Sequence, residues 1–287
     1  MPPNFPQCSV DLLIGAPVKI LLITIALMAT AVQVSASDKI SLAFKAEDSV
    51  YQLAPSAALM RGLYEGTTRF ENLLDLGDFG LGALNAIDGE VILLEGKIYQ
   101  ASHHQGRLRN VTAQEQSPFF YLKRFQEDLR ITLKTVHNLD HLIAQLDAQL
   151  PSLNLLYAIR VDGGFEQIVL RSVPPQRPPY PPINKVVEQQ TVFKAQRIRG
   201  TLVAFRFPTY LSSVSGSGYH LHFVGADRRI GGHVLNIHAD GLTALIDSSH
   251  GLTLMLPDDP AFHAADLDIS AGDASTIYRD AIRPGNK

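Results

Sequence analysis

The pattern of apolar and polar positions changes period several times along this chain, and each change marks an element. Val50-Tyr51-Gln52-Leu53 predicts a short extended segment, and the apolar clusters at 56–63 and 70–76 predict two short helices. From Asp88-Gly89-Glu90-Val91-Ile92-Leu93-Leu94 the chain passes through Glu95-Gly96 into Lys97-Ile98-Tyr99-Gln100, two β-forming runs around a tight turn. That is the signature of a hairpin, because glycine supplies the positive φ that a turn between twisted strands requires. Leu139, Leu142, Ile143, Leu146 and Leu150 then recur at helical spacing ahead of Pro151, so 139–150 predicts the clearest helix. Its apolar stripe is a core face. A second hairpin is predicted from 157–161 and 165–172, with Asp162-Gly163-Gly164 at its turn.

Prolines at 174, 175, 178, 179, 181 and 182 lack the N–H that a β-ladder needs, so 174–185 predicts a rigid extended crossover. It divides the chain into an N-terminal α+β half, 37–173, and a C-terminal β half with a tail, 186–287. Hairpin signals outnumber long helices and no βαβ alternation is visible. The predicted fold class is therefore α+β, built on mixed, largely antiparallel sheets with few helices.

The N-terminus follows a different logic. An apolar run opens at Ile20-Leu21-Leu22-Ile23 behind Lys19 and closes at Val34-Ser35-Ala36, where small residues suit signal peptidase. Residues 1–36 are expected to be a signal peptide cleaved after Ala36, since the run falls short of the roughly 20 apolar residues of a membrane span. Between Met1 and Pro17 the only charge is Asp11, whereas a segment beginning near Val18 is a well-formed signal; translation is expected to start there. Export to a periplasmic or extracellular location, with no stable membrane anchor after cleavage, follows. Cys8 is the only cysteine of the 287 residues, so the mature chain has no disulfide and depends on core burial and metal. A net charge of −3 and the lack of a basic stretch exclude a nucleic-acid backbone as partner.

Candidate chemistry lies in Gly218-Tyr219-His220-Leu221-His222-Phe223-Val224 and Gly231-Gly232-His233-Val234. Strand side chains alternate faces, so His220 and His222 share one. The polar stretch Gly225-Ala226-Asp227-Arg228-Arg229 reads as a turn that folds His233 back onto them. Three imidazole nitrogens with positions left open are what a catalytic metal site needs. His238, at odd spacing from His233, reads as a surface residue, as do His103 and His104 before the Gln105-Gly106 turn.

Several segments together resemble the α-acetolactate decarboxylases. Gly77-Asp78-Phe79-Gly80-Leu81-Gly82-Ala83-Leu84-Asn85-Ala86-Ile87-Asp88-Gly89-Glu90 follows that family's N-terminal pattern. Tyr99-Gln100, Pro118-Phe119, Tyr157-Ala158-Ile159-Arg160, Arg171-Ser172-Val173-Pro174, Gln176, Pro179-Tyr180 and the histidine region then match in the same order. The resemblance implies a zinc enzyme that converts 2-acetolactate to acetoin and carbon dioxide without an organic cofactor, and by analogy a homodimer. It places His220, His222 and His233 on the metal and Glu90 and Arg171 beside it. Arg171 would hold the substrate carboxylate, and Glu90 would deliver a proton to the enediolate. On the strand, Arg171 is expected to share a face with Phe165, Gln167 and Val169. Two departures stand out. Ala83 replaces the family's threonine and Leu84 its phenylalanine, and where the family's tail brings a glutamate to the metal, Asp280 is the nearest equivalent. The site is expected between the two halves. A different exported zinc lyase or hydrolase, or a metal-binding protein without turnover, would carry the same histidines.

Overall fold

The computed structural model describes residues 48–282. The predicted signal segment, 1–36, lies outside them. Among the described residues no helix is long and apolar enough to cross a membrane.

Two sheets carry the fold. The first has seven strands in the order β15 (Gly251–Met255), β1 (Ser49–Leu53), β8 (Phe119–Lys123), β3 (Phe79–Ala83), β4 (Glu90–Leu94), β5 (Lys97–Ala101) and β6 (Leu108–Asn110). It is antiparallel except where β1 and β15 run parallel, a mixed sheet of the expected kind. The β4–β5 hairpin turns at Glu95 and Gly96, both at positive φ, as predicted. The second sheet has the order β11 (Thr191–Phe207), β12 (Gly218–Gly225), β13 (Gly231–Ala239), β10 (Leu156–Ser172), β14 (Leu242–Ser249) and β9 (Leu129–Leu133), all antiparallel. Strands β2 (Thr68–Arg69) and β7 (Gln116–Ser117) form a separate small pair.

Residues 157–172 do not form a hairpin. They lie in one continuous strand, β10, paired with β11 from Tyr157↔Arg206 to Ser172↔Thr191. Neither Gly163 nor Gly164 takes a positive φ, so no turn forms there. Gly163 is required for close approach instead: a Cβ on it would stand 2.5 Å from the side chain of the buried Leu242. At this point β10 exchanges its neighbour β14 for β13, and β11, β12, β13 and β10 close on one another as a ring. The segment 174–185 joins β10 to its own sheet partner β11. The division that it marks along the chain is therefore not a division between sheets, since β15, from beyond it, completes the first sheet.

Period-two alternation sorts the cores. On β11, Leu202 and Ala204 face the inside of the ring with Tyr157, Ile159 and Val161 of β10, while Val203, Phe205 and Phe207 face Phe79, Leu81, Phe119 and Tyr121 of the first sheet. The ring is plugged by a helix. Seven helices are described, α1 (Ser56–Met60), α2 (Phe70–Leu74), α3 (Leu139–Asp147), α4 (Ile183–Val187), α5 (Ser212–Ser215), α6 (Pro260–Ala264) and α7 (Ala271–Ile282). The plug is α3, which buries Leu139, Leu142 and Leu146 there and is capped by the Asn138 side chain accepting from the His141 N–H at 2.8 Å. A third cluster gathers α1, α4 and α7 through Met60, Ile183, Val186, Ala274 and Tyr278.

The two sheets are also joined by a buried ion pair. Lys123, at the end of β8 and 1% exposed, places Nζ 2.6 Å from the Asp247 carboxylate of β14, 2.9 Å from the Ser248 carbonyl, and against the Ser249 hydroxyl. Removing one member leaves a buried charge uncompensated, which costs about 3–5 kcal/mol. Lys123→Ala is accordingly expected to lower the unfolding free energy by about that amount, read from the shift in urea midpoint; a loss below about 1 kcal/mol would show that the joint does not hold the sheets.

Candidate metal centre

Strand alternation on β12 sends Tyr219, Leu221 and Phe223 into the ring and turns His220, His222 and Val224 toward the first sheet. The turn 226–230, closed by Gly225 N–H to the Ile230 carbonyl at 2.8 Å, brings β13 back antiparallel, with His233 directly opposite His222. Three imidazoles converge as the sequence predicted. One nitrogen from each lies within 4.8 Å of the others, and His220 Nε2 stands 3.1 Å from His222 Nε2.

The hydrogen bonds around His222 define what this cluster can hold. Its Nδ1 lies 2.9 Å from the Val91 carbonyl of β4, which can only accept, so Nδ1 carries the proton and a neutral ring leaves a lone pair on Nε2. That lone pair faces His220 Nε2 and, at 3.2 Å, the carboxylate Oε2 of Glu90. Two imidazole nitrogens and an anionic oxygen, with few protons to share among them, suit a divalent cation held about 2.0–2.2 Å from each donor. A backbone carbonyl behind a ligand imidazole is also the usual arrangement for fixing its tautomer.

Glu90 opens β4 and arrives from the opposite sheet. The loop before it is held in an unfavourable conformation, with Ala86 and Ile87 both at positive φ, 61° and 52°. It persists because its backbone is tied on several sides. Ala86 N–H donates to the Tyr64 carbonyl at 2.8 Å, the Ala86 carbonyl accepts from Gln176 N–H at 2.7 Å, and the Asn85 side-chain amide pairs both ways with the Gly66 backbone. Arg171 stands on β10 directly across from His233. It does not share a face with Phe165. A register shift between Phe165 and Gln167 puts Ile168 and Leu170 into the ring core with Phe165 and frees Arg171 to face the first sheet.

Arg171 Nη1 donates to Glu90 Oε1 at 3.1 Å, and the two residues are only 6% and 7% exposed. Burial alone would raise the Glu90 carboxyl, but the Arg171 charge and the adjoining His222 imidazole outweigh it and hold the group below the usual carboxylate range. Burial pulls Arg171 below the ordinary guanidinium value, against the opposing pull of Glu90. Burial, then His222 and Arg171, push His220 well below the usual imidazole range, so that it stays neutral and available as a ligand. Glu90, Arg171 and His220 line one cavity whose remaining wall is largely apolar, with Met60, Phe119, Val173 and Ala83 among its residues.

Asp280 falls on α7, but its side chain lies outside the described residues. Among the described side chains of α7, Tyr278 reaches the cluster, its hydroxyl 3.1 Å from His220 Nδ1. Nothing in the sequence singled it out beyond its helical spacing from Ala274. His238 is exposed, and His103 and His104 sit on the turn after β5; none of them joins the site.

The family model for alpha-acetolactate decarboxylase matches residues 50–269, most of the chain. The chain belongs to the alpha-acetolactate decarboxylase family. It is 38% identical over 218 residues to the alpha-acetolactate decarboxylase of Raoultella terrigena, covering 76% of this chain and 84% of that one. Against the Bacillus subtilis enzyme of the same name identity is 34% over 219 residues, with 76% and 86% covered. The crystal structure of alpha-acetolactate decarboxylase from Bacillus subtilis strain 168 superposes with a TM-score of 0.78 at 31% identity, covering 82% of this chain and 99% of that one. The family match spans all three histidines, Glu90 and Arg171, and ends before α7.

His222→Ala takes one nitrogen from the centre of the cluster and leaves too few protein donors for a stable site. The purified variant is expected to retain less than a tenth of the bound divalent metal of the parent protein by elemental analysis, and full occupancy would assign the histidines to structure. In the metal-free protein, the folded Glu90 carboxyl has a lower pKa than the unfolded one. Its pairing with Arg171 therefore stabilises fully above the unfolded value of 4.5 and is lost as pH falls through the folded one. Glu90→Gln should flatten the acid limb of stability against pH; an unchanged limb would place the acid sensitivity elsewhere.

Proposed function

We propose that this chain is a zinc-dependent decarboxylase that converts 2-acetolactate to acetoin and carbon dioxide. One observation carries the reading: in a chain of this family, three histidine nitrogens cluster beside the Glu90 carboxylate and the Arg171 guanidinium, and Glu90, Arg171 and His220 line one cavity. Zinc suits three imidazoles with a carboxylate oxygen, and when bound it supplies Lewis-acid stabilisation of negative charge on the substrate's ketone and hydroxyl oxygens.

The chain's own residues account for the rest. Arg171 presents a planar donor fork to the substrate carboxylate, and the apolar wall seats the methyl groups and excludes water. When the bond to the carboxylate carbon breaks, carbon dioxide leaves and the electron pair remains as an enediolate, beside the positive charge of Arg171. Glu90 is held ionised, so it begins as a base. It can take the proton of the tertiary hydroxyl and return it to one face of the enediolate carbon, which makes it the acid of the final step. One further proton from solvent completes acetoin, and the overall change is acetolactate anion plus a proton to acetoin plus carbon dioxide.

The apolar run behind Lys19 that ends at Ala36 supports export, and N-terminal sequencing of the exported protein is expected to begin at Ser37. Assembly as a homodimer is supported by the family resemblance.

The decisive assay is acetoin formation from racemic acetolactate by the metal-loaded protein; no acetoin, with metal bound, would overturn the proposal. Arg171→Lys keeps the charge but loses the fork and is expected to slow turnover by about 10²-fold with metal retained. Glu90→Gln is expected to lose about 10²- to 10⁴-fold and to give acetoin of lower enantiomeric purity by chiral chromatography. Near-normal rate and unchanged stereochemistry would remove Glu90 from the mechanism.

A further inference from the structure

Two tyrosines stand behind His220 and meet it from different elements. Tyr278, on α7, has its hydroxyl 3.1 Å from His220 Nδ1. Tyr121, on β8, faces Tyr278 and donates its own hydroxyl to the Ser215 carbonyl at 2.5 Å. The order of donors follows from His220. With Nε2 turned to the cluster as a lone pair, Nδ1 must carry the proton and donate it to the phenol oxygen of Tyr278. The Tyr278 phenol oxygen is thus the acceptor of this proton, and the Tyr121 proton goes to Ser215.

The backbone is shaped to admit the Tyr278 ring. Gly216 has φ 71°, and a Cβ there would stand 2.3 Å from the ring. Gly216 is in turn fixed by its N–H donating to the Ser56 hydroxyl at 3.1 Å, and its neighbour Ser215 donates to Gln52 at 2.5 Å. Ala274, one turn earlier on α7, is fully buried, so both residues anchor the same face of the helix in the apolar cluster with α1 and α4.

Building on the metal reading, we propose that Tyr278 is a positioning residue of the centre: its hydroxyl accepts the Nδ1–H of His220 and fixes that imidazole with Nε2 toward the metal, while its docked ring closes the cavity that Glu90 and Arg171 line. It comes from outside the stretch matched by the family model. The ligands are carried by the common sheet scaffold, and the hold on one of them is supplied by the C-terminal helix.

Partners behind a ligand histidine typically change metal affinity by 10- to 100-fold. Tyr278→Phe keeps the ring against Gly216 and removes only the oxygen. Its zinc dissociation constant, measured by chelator competition, is expected to rise at least 10-fold, and the visible spectrum of the cobalt-substituted protein to shift, with the unfolding temperature held within a few degrees. Ser275→Ala removes a second polar contact of α7, the 3.4 Å contact with Ser217, without touching a histidine, and is expected to leave both readouts unchanged. Wild-type affinity and spectrum in Tyr278→Phe would overturn the role. So would an equal loss in Ser275→Ala, which would assign the effect to helix docking. Should Tyr278→Phe not fold, ¹⁵N NMR of the zinc-loaded parent decides: a protonated Nδ1 on His220 with a metal-bound Nε2 supports the proposal, and any other tautomer overturns it. A parent protein that binds no divalent metal would remove the metal reading itself, which the first titration shows before any variant is made.

Discussion

A carboxylate taken out of water must be met by positive charge and hydrogen bonds, and the meeting of Glu90 with Arg171 and His222 is the interaction around which the site is built. Each partner comes from the opposite sheet, so the residues can come together only if the two sheets pack at one separation and one register. The same faces that supply Glu90, His220 and His222 also bury Phe79, Tyr121, Phe205 and Val224 between the sheets. Apolar packing sets the distance. The polar group at its edge uses that distance, and the Val91 carbonyl, one residue past Glu90, steadies His222 from the same strand.

This arrangement costs stability locally. Ala86 and Ile87 at positive φ, and two charged residues under 10% exposed, are each unfavourable by themselves. They are offset by the extensive cores on both faces of the first sheet and by the fully partnered Lys123–Asp247 joint between the sheets. The two buried ion pairs differ in kind. Lys123 is held by the Asp247 carboxylate, the Ser248 carbonyl and the Ser249 hydroxyl, whereas Arg171 and Glu90 line a cavity that another anion can enter.

What could be read from the sequence depended on how local the determining forces are. His220 and His222 share a face by alternation alone, and a short polar turn between β-forming runs sufficed to bring His233 opposite them. The β4–β5 hairpin was legible for the same reason. Asp162-Gly163-Gly164 reads as a turn, yet it is continuous strand, because the glycines there answer to Leu242 across the sheet and to the closure of the ring, neither of which has a local signature. The face of Arg171 was misread through the register shift after Phe165, which reverses the alternation and is set by pairing with β13. The order of the ring strands brings 157–172 and 191–207 together across the prolines, and proline content speaks only to the connection. Tyr278 was invisible for a further reason: its meaning arises from a helix docking on Gly216, more than sixty residues away in sequence.

The chemistry proposed for the site gains a further step from the geometry. In the free protein Arg171 holds Glu90 ionised, and a substrate carboxylate that engages the same guanidinium brings a second negative charge beside Glu90. Like charge raises the proton affinity of a carboxylate, so arrival of substrate moves Glu90 from an unwilling acceptor toward one able to take the tertiary hydroxyl proton. When carbon dioxide departs, the charge passes to the enediolate, and the proton on Glu90 then lies beside the atom that needs it. With Ala83 at the cavity wall in place of a hydroxyl-bearing residue, the orientation of substrate falls to Arg171 and the histidine centre. The shared guanidinium thus couples binding to proton transfer, and that coupling is strong because both partners are buried, where solvent screens their charges little.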